Sequence, residues 1–332
     1  MRSFFARAQA QPGQAEVSPA ALVNLTAAMK PPKGIVAIGV LSGDAPPCIK
    51  STGRSPEREL FELGSVTKTV TATALAQLVV DGLVTLETAV GDILGPKAGR
   101  AEAITLGELA THTSGLPKLA PNAIGFPFWP RDPYRFYNQS RLWRGLAEVK
   151  RNEAAKFAYS NLGFALLGAC LAAATRTPIG ELLTEVVLRP AGMATARCQP
   201  CRRKGLVAAH GRWLTGGRRW HQPLPGAGGI DGSIGDLAAW TAANFRPDST
   251  PLASAIRLAH RTHHQGGEMA IGLSWVKTDG TTWHNGGTGG FSSFVGVRGD
   301  RAVCAIASYA ATPTFSLDGA AFAYLEGEST PV

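Results

Sequence analysis

One serine and one lysine stand three positions apart in FELGSVTKTV (61–70), just before the apolar run TATALAQLVVDGLV. Positions i and i+3 share a face of a helix, so Ser65 and Lys68 would lie side by side at a helix start. Serine is a weak nucleophile that needs a base, and a desolvated lysine that has lost its proton can be that base. The unpaired N–H groups of the helix end could stabilise an oxyanion. A capping serine beside a surface lysine gives the same pattern.

Two further segments carry side chains that could take part in a reaction at Ser65. FAYSNLGFALLG (157–168) places Tyr159 and Asn161 ahead of an apolar helix. The phenol can act as an acid or base if cations depress its pKa, and the amide can bind a lysine or a substrate amide. WHNGGTGGFSSF (283–294) places His284 on a strand that runs into a glycine-rich edge, where a substrate backbone can approach closely. The structural alternatives are a core tyrosine with a capping asparagine, and a tight hairpin with a surface histidine.

Periodicity and end signals place these groups on defined elements. A strand is predicted over 34–41, where β-branched residues are bounded by glycine and proline, and a helix runs from the Ser65 turn to about Asp81. Thr105 and Glu108 form a capping box that starts another helix. Further helices are predicted over 18–30, 160–176, 178–193, 233–245 and 315–327. Further strands are predicted over 58–64, 205–211, 212–220, 269–280, 281–287, 291–300 and 301–310.

The order of these elements is strands, helices, strands and a last helix. This order predicts an α+β fold, an antiparallel sheet flanked by helices with an inserted all-helical lobe. We expect one domain over 16–325. The parts, in chain order, are a flexible N-terminus over 1–15, an α/β lobe from about 16–80 and 205–325, a helical lobe from about 81–204, and a tail over 326–332. The segment 116–138, rich in proline and aromatic residues, is predicted to be a long ordered loop beside the site.

The composition limits the classes of protein to which the chain can belong. The 332 residues are 45% hydrophobic, enough for a large core, and carry a formal net charge of +9. No run approaches the roughly 18–20 apolar residues of a membrane span, and the N-terminus lacks the apolar stretch of a signal peptide. We therefore expect a cytoplasmic protein, or a periplasmic or secreted one if the true start lies upstream. The basic strip 202–220 interleaves Arg and Trp, but no recognised module surrounds it, so nucleic acid is not an expected partner.

Five cysteines cannot all pair within one chain. Cys170 and Cys304 lie in apolar runs and are expected to be buried small hydrophobic residues. Cys198 and Cys201 form the sequence CQPC. Free thiols, a local disulfide, or a structural zinc site with His210 as the nearby further ligand all fit this spacing.

Taken together, the three motifs resemble those of the serine β-lactamase-related family, the penicillin-recognising group that includes class C β-lactamases, DD-peptidases and family VIII esterases. SVTK (65–68) matches S-x-x-K, YSN (159–161) matches the Tyr-x-Asn of class C-like members, and HNG (284–286) stands where true β-lactamases carry Lys-Thr-Gly. The resemblance covers about residues 30–325. The flanking stretches that also match are 106–117, 155–168 and 227–240.

The resemblance implies a β-lactamase/transpeptidase-like fold and a mechanism. Ser65 attacks a carbonyl and becomes acylated, while Lys68 and Tyr159 share the proton transfers and either one is the base. The backbone N–H groups of Ser65 and Gly287 would form the oxyanion hole, and Asn161 would orient Lys68 or the substrate. No metal or organic cofactor is implied. The implied substrate-binding residues are Asn161, His284, Asn285, Gly286 and Gly287.

The third motif departs from the family pattern, which bears on the substrate. A lysine there is a permanent cation for a substrate carboxylate, whereas His284 is only partly charged near neutral pH and Asn285 lacks a hydroxyl. Weaker binding of β-lactam or D-alanyl carboxylates is therefore expected. The predicted function is hydrolysis of a β-lactam, an ester or a D-amino-acid amide, in a small-molecule or peptidoglycan-derived substrate. The alternative is a non-catalytic module of the same fold that binds a cell-wall fragment.

Overall fold

The computed structural model describes residues 33–123, 132, 134, 136–152, 156–198, 205–211, 220, 224–309 and 316–327. The helix expected over 18–30, the N-terminal 15 residues, Cys201 and nearly all of the strand expected over 212–220 lie outside these residues. The N-terminal stretch on which the expected cellular location depended also lies outside them.

An antiparallel sheet of eight strands is built from both ends of the chain, as the sequence predicts. The strands, in chain order, are β1 (Val36–Ser42), β2 (Cys48–Ser51), β3 (Phe61–Glu62), β4 (Arg197–Cys198), β5 (Ile230–Gly232), β6 (His264–Gly266), β7 (Met269–Ile271), β8 (Val276–Thr278), β9 (Thr281–Gly287), β10 (Ser292–Arg298) and β11 (Arg301–Ala307). The order across the large sheet is β2-β1-β11-β10-β9-β8-β7-β6, and β3, β5 and β4 form a small second sheet.

Helices surround this sheet and make the fold α+β. They are α1 (Thr67–Val80), α2 (Val90–Leu94), α3 (Leu106–Ala110), α4 (Gln139–Glu148), α5 (Asn161–Thr175), α6 (Ile179–Leu183), α7 (Ile234–Phe245), α8 (Ala253–His260) and α9 (Leu317–Glu326). The helices predicted around α5, α7 and α9 are confirmed within two residues at each end. The helix predicted over 178–193 is α6 followed by a π-helical turn, Thr184–Leu188, and it ends before Pro190.

A helix that crosses a membrane needs roughly 20 consecutive, mainly apolar residues. Within the described ranges no single helix is long and apolar enough to cross one. The consecutive segments Asn161–Thr175 and Ile179–Leu188 reach that length only when they are taken together, and they are bent by 87° at their junction.

The sheet separates two apolar layers because successive side chains of a strand point to opposite faces. Val36, Ile38 and Val40 of β1 pack in the cluster that includes α9. Ala37, between them, belongs to the larger core that includes α7 and its Trp240. A helix therefore covers each face of the sheet.

Helix α1 runs through the larger core, and 11 of its 14 residues are buried. Its residues are apolar apart from the threonines, Lys68 and Gln77, as expected of a helix that is buried on most sides. The threonine hydroxyls find partners without water: Thr71 donates to the Gly226 carbonyl at 2.8 Å, and Thr69 accepts from the Trp240 indole at 3.0 Å. These bonds satisfy polar groups that would otherwise destabilise the core.

Three strand predictions were wrong or too long. The segment 269–280 holds two short strands, β7 and β8, which pair antiparallel with each other. The segment 205–211 forms no strand; Leu206 and His210 make only isolated bridges, to Leu60 and Tyr309 respectively. The strand predicted over 58–64 is reduced to the two residues of β3, because Gly64 has a positive φ of 52° and turns the chain into a 3₁₀ turn. The buried positions of Cys170 and Cys304 are confirmed.

The capping box of α3 generates a stability prediction. The Thr105 hydroxyl accepts the Glu108 N–H at 3.1 Å, and the Glu108 carboxylate accepts the Thr105 N–H at 2.8 Å. Thr105→Ala removes the first bond and should lower the free energy of unfolding by about 1 kcal/mol. Urea denaturation measures this difference. Thr105→Ser retains the acceptor and should stay close to wild type; equal losses in both variants would contradict a capping role.

Candidate active site

Ser65 lies on the 3₁₀ turn Gly64–Val66, which leads directly into α1. The helix places Lys68 one turn further on, and its Nζ lies 3.0 Å from the Ser65 Oγ and 2.7 Å from the Ala227 carbonyl oxygen. Lys68 is fully buried, whereas Ser65 is half-buried. The serine can therefore meet a substrate from outside while the amine is kept from water.

Tyr159 approaches the same serine from the segment that precedes α5. Its hydroxyl donates to the Ser65 Oγ at 2.7 Å, and the Lys68 Nζ lies 4.9 Å from the centre of its ring. The side chain of Ser160 caps α5 by accepting the Gly163 N–H at 2.9 Å, which anchors this segment. The structure thus brings Ser65, Lys68 and Tyr159, which are distant in sequence, into one hydrogen-bonded cluster.

Burial governs the protonation of this cluster. It lowers the pKa of Lys68 well below the ordinary lysine value, and the charge of Lys118 lowers it further. Burial also raises the pKa of Tyr159, against the effect of its hydrogen bond to Ser65. The condition stated for Tyr159 above, a pKa depressed by cations, is therefore not met, because desolvation of the phenolate is the largest effect. Lys68 is driven toward the uncharged amine, and Tyr159 is held as the phenol.

Asn161, the first residue of α5, does not orient Lys68. Its side-chain Nδ2 donates to the Tyr134 hydroxyl at 2.7 Å, and the partner of Lys68 beyond the serine is the Ala227 carbonyl. Sequence reasoning missed both partners. A backbone carbonyl leaves no trace in a residue pattern, whereas Tyr134 lies in the aromatic segment expected beside the site.

The glycines of the third motif bring β9 against the serine turn. A Cβ on Gly286 would lie 2.3 Å from the Leu63 carbonyl and 3.0 Å from the Ser65 nitrogen, and one on Gly64 would lie 2.9 Å from the Gly287 nitrogen. The Ser293 hydroxyl ties β10 to the same turn by donating to the Leu63 carbonyl at 2.8 Å. Only glycine permits this close approach of the backbone. The Ser65 and Gly287 nitrogens therefore lie on neighbouring segments of the chain.

His284 lies two residues before Gly286 on the same face of β9, but it does not carry the charge expected of it. Burial, the largest cause, and the proximity of the Lys68 amine lower the pKa of His284 to about 3. The expectation of a partly charged imidazole is therefore wrong, since the side chain is only 3% exposed. Asn285 lies on the opposite face, where its Nδ2 donates to an Asp318 carboxylate oxygen of α9 at 2.6 Å. The structure does not bring the Asn285 side chain to the serine.

The Beta-lactamase family model matches residues 37–326. The chain belongs to the Beta-lactamase family. It is 27% identical over 267 residues to the D-alanyl-D-alanine-carboxypeptidase/endopeptidase AmpH of Escherichia coli K12, which covers 71% of this chain and 67% of AmpH. A beta-lactamase of Providencia stuartii is 31% identical over 41% of this chain and 33% of its own length.

A relative from a fungus widens the range of similar hydrolases. The unguisins hydrolase ungD' of Aspergillus campestris is 26% identical over 74% of this chain and 51% of its own length. The Beta-lactamase family thus joins this chain to proteins named as a carboxypeptidase, a beta-lactamase and a hydrolase. Several of these matches span only a third to about half of the relatives' own lengths.

An apolar pocket, partly open to solvent, lies beside the cluster of Ser65, Lys68 and Tyr159. Asn161 and Ala227, whose carbonyl binds Lys68, both line it, so the pocket begins beside the lysine and the start of α5. The described parts of the loop expected over 116–138 supply one of its walls. Other lining residues are Leu119, Ala120, Tyr134, Tyr137, Leu162 and Ala165. Across the described chain, no group of three or more His, Cys, Asp or Glu side chains could hold a metal ion.

The buried amine generates a prediction about stability and pH. The unfolded chain binds a proton on Lys68 below the ordinary lysine pKa of about 10.4, while the folded protein resists that proton. Stability of the wild type should therefore rise with pH through this range, because the unfolded state binds more protons. Lys68→Met should increase the free energy of unfolding at pH 7. This gain in stability over the wild type should shrink as the pH approaches the pKa of a free lysine side chain.

Urea denaturation at pH 7, 8, 9 and 10 measures this effect. Lys97→Met, which changes an exposed lysine, is the matched control and should leave the pH dependence unaltered. An advantage of Lys68→Met that stays constant across these pH values would show that Lys68 is protonated in the folded protein.

Proposed function

We propose that the protein is a serine hydrolase that works through an acyl-enzyme on Ser65. The observation that carries the proposal is the position of the Ser65 Oγ, 2.7 Å from the Tyr159 hydroxyl and 3.0 Å from the Lys68 Nζ. A nucleophile needs a base within hydrogen-bond reach, and an amine with a lowered pKa is a suitable one. The non-catalytic alternative has no need of a desolvated amine at this point.

The direction of the pKa shifts favours Lys68 as the base for acylation. As a neutral amine, Lys68 takes the Ser65 proton while the Oγ forms a bond to the substrate carbonyl carbon. The Ser65 and Gly287 N–H groups would stabilise the oxyanion. As the bond to the leaving group breaks, Tyr159 donates its proton to that group and regains one from the Lys68 ammonium. Water then attacks the acyl group, the same groups accept its proton, and the Ser65 hydroxyl is restored.

The surroundings of the serine favour an uncharged acyl donor such as an ester. His284 stands in the place of the family's lysine, and at neutral pH it carries no charge with which to bind a carboxylate. The adjoining pocket is lined mainly by Leu, Ala and Tyr side chains, which suit an aliphatic or aromatic acyl group. An apolar ester is therefore the proposed substrate class.

One observation favours a second candidate, a carboxylate-bearing β-lactam or D-alanyl peptide. Lys118 is exposed and precedes Leu119 in the pocket wall, and its charge acts on Lys68. Its carbonyl accepts the Asn161 N–H at 3.1 Å, so its backbone is held beside the site. The names of AmpH and of the Providencia protein agree with such substrates.

One experiment tests the proposal and separates the two substrate classes. Hydrolysis of p-nitrophenyl butyrate and of the cephalosporin nitrocefin is measured for wild type and Ser65→Ala, with intact mass spectrometry of each mixture. We expect ester turnover that falls roughly 1000-fold or more in the variant. We also expect an acyl adduct on wild type alone.

The outcomes are distinct. Full activity in Ser65→Ala would overturn the acyl-enzyme. Faster turnover of nitrocefin than of the ester would favour the carboxylate-bearing class. Binding of cell-wall fragments without any adduct or turnover would favour the non-catalytic module.

A second prediction concerns the pocket. Ala165 is on α5 and lines the pocket, so Ala165→Leu should fill part of it. Along a series of p-nitrophenyl esters from acetate to octanoate, kcat/KM should fall about 10-fold or more for the longer chains, because lost apolar contact costs roughly 1–3 kcal/mol. The acetate rate should change little. Ala169→Leu, one turn along the same helix, is the matched control, and an equal loss for all chain lengths would contradict the assignment.

A further inference from the structure

His112, in the turn after α3, binds the backbone on both sides of Tyr159. Its carbonyl accepts the Ala158 N–H at 2.8 Å, and its ring Nδ1 accepts the Ser160 N–H at 3.1 Å. The same ring packs on Tyr159 with 4.5 Å between the ring centres, and on Phe164 with 5.0 Å. One residue thus holds the main chain before and after the tyrosine and supports the tyrosine ring as well.

The conformation of His112 is costly and is held by its surroundings. Its φ is 60°, a left-handed value that costs an ordinary residue roughly 1–2 kcal/mol. The side chain is 2% exposed, and its Nε2 has no hydrogen-bond partner in the described part of the chain. Strain and an unpaired polar atom are tolerated where the surrounding structure imposes an arrangement that function needs.

The hydrogen bond to Ser160 defines the state of the ring. Because Nδ1 accepts an N–H, it carries no proton, so His112 is a neutral imidazole with its proton on Nε2. A leucine would retain much of the packing but would offer no acceptor. An asparagine would retain the acceptor, since its Oδ1 is as many bonds from Cα as Nδ1 is, and it tolerates the left-handed conformation.

We propose that His112 is a positioning residue that acts through Tyr159, fixing the phenol at hydrogen-bond distance from Ser65. The inference rests on the proposed function, because it assigns His112 a part in that reaction only. His112 itself touches neither the Ser65 oxygen nor the acyl group. Its effect on catalysis should therefore exist only while the tyrosine hydroxyl is present.

A double-mutant cycle tests this dependence. The variants are His112→Leu, Tyr159→Phe and the two combined, with His112→Asn as the conservative change. We expect His112→Leu to lower kcat for the ester about 10- to 100-fold with KM changed less than about threefold, because a displaced catalytic group loses rate and not binding. His112→Asn should recover kcat to within about fivefold of wild type. In the Tyr159→Phe background, His112→Leu should change kcat by less than about twofold.

The results that would overturn the proposal differ from those that would overturn the function. Suppose that Tyr159→Phe is impaired. If His112→Leu then lowers kcat in the Tyr159→Phe background as much as it does in the wild type, His112 does not act through the tyrosine. Equal losses in the Asn and Leu variants would also exclude the proposed hydrogen bond. A Tyr159→Phe variant with wild-type kcat would remove the tyrosine from the mechanism and the inference with it, while Ser65→Ala separately reports on the acyl-enzyme.

Folding is checked by circular dichroism and thermal unfolding of each variant. If His112→Leu does not fold, His112→Gly takes its place, because glycine accepts the left-handed backbone and retains the carbonyl. The expected kcat, KM and cycle values for the glycine variant are the same, so a folded variant with wild-type kcat would overturn the proposal.

Discussion

The burial of one amine is the constraint on which the rest of this structure depends. Lys68 lies on a helix inside the protein, and its hydrogen-bond partners among the described residues are the Ser65 hydroxyl and the Ala227 carbonyl, neither of them charged. A protonated lysine in such a place is expensive, so the protein stabilises the neutral form. The rings of Tyr159 and Phe164 lie 4.9 and 5.8 Å from the Lys68 Nζ and help to keep water from it.

A second constraint is the close approach of two backbones. The serine turn and the end of β9 come from opposite halves of the chain, and they meet only because glycines occupy positions 64 and 286. The order of strands places β9 where its end reaches this turn, and Ser293 on β10 reinforces the contact. Ser65 and the proposed oxyanion donors are therefore held by the start of α1 and by the end of β9.

The site is also notable for the neutral state of its titratable groups. Burial lowers the pKa of His284 and of His112, and a proton on Lys68 would lower both further. Protonation of Lys68 therefore disfavours protonation of the two imidazoles. Such a site can take a proton from a serine without being charged beforehand, and it fits an uncharged acyl group in the adjoining apolar pocket.

Residue patterns were enough to predict the α+β class, most antiparallel strands of the second half, the ends of α5, α7 and α9, and the pairing of Ser65 with Lys68. These features rest on local periodicity and on i to i+3 geometry, which are readable from neighbouring residues. The sequence also pointed to Tyr159 and the HNG segment, through their resemblance to a known family.

Tertiary structure alone decided the charge states and the partners. His284 is neutral, the pKa of Tyr159 is raised, and Asn161 binds Tyr134, because burial and contact depend on residues far away in the chain. The same reason explains why residues 205–211 form no strand and why the part of His112 went unseen. Desolvation depends on the assembled core, so it cannot be predicted from the spacing of residues along the chain.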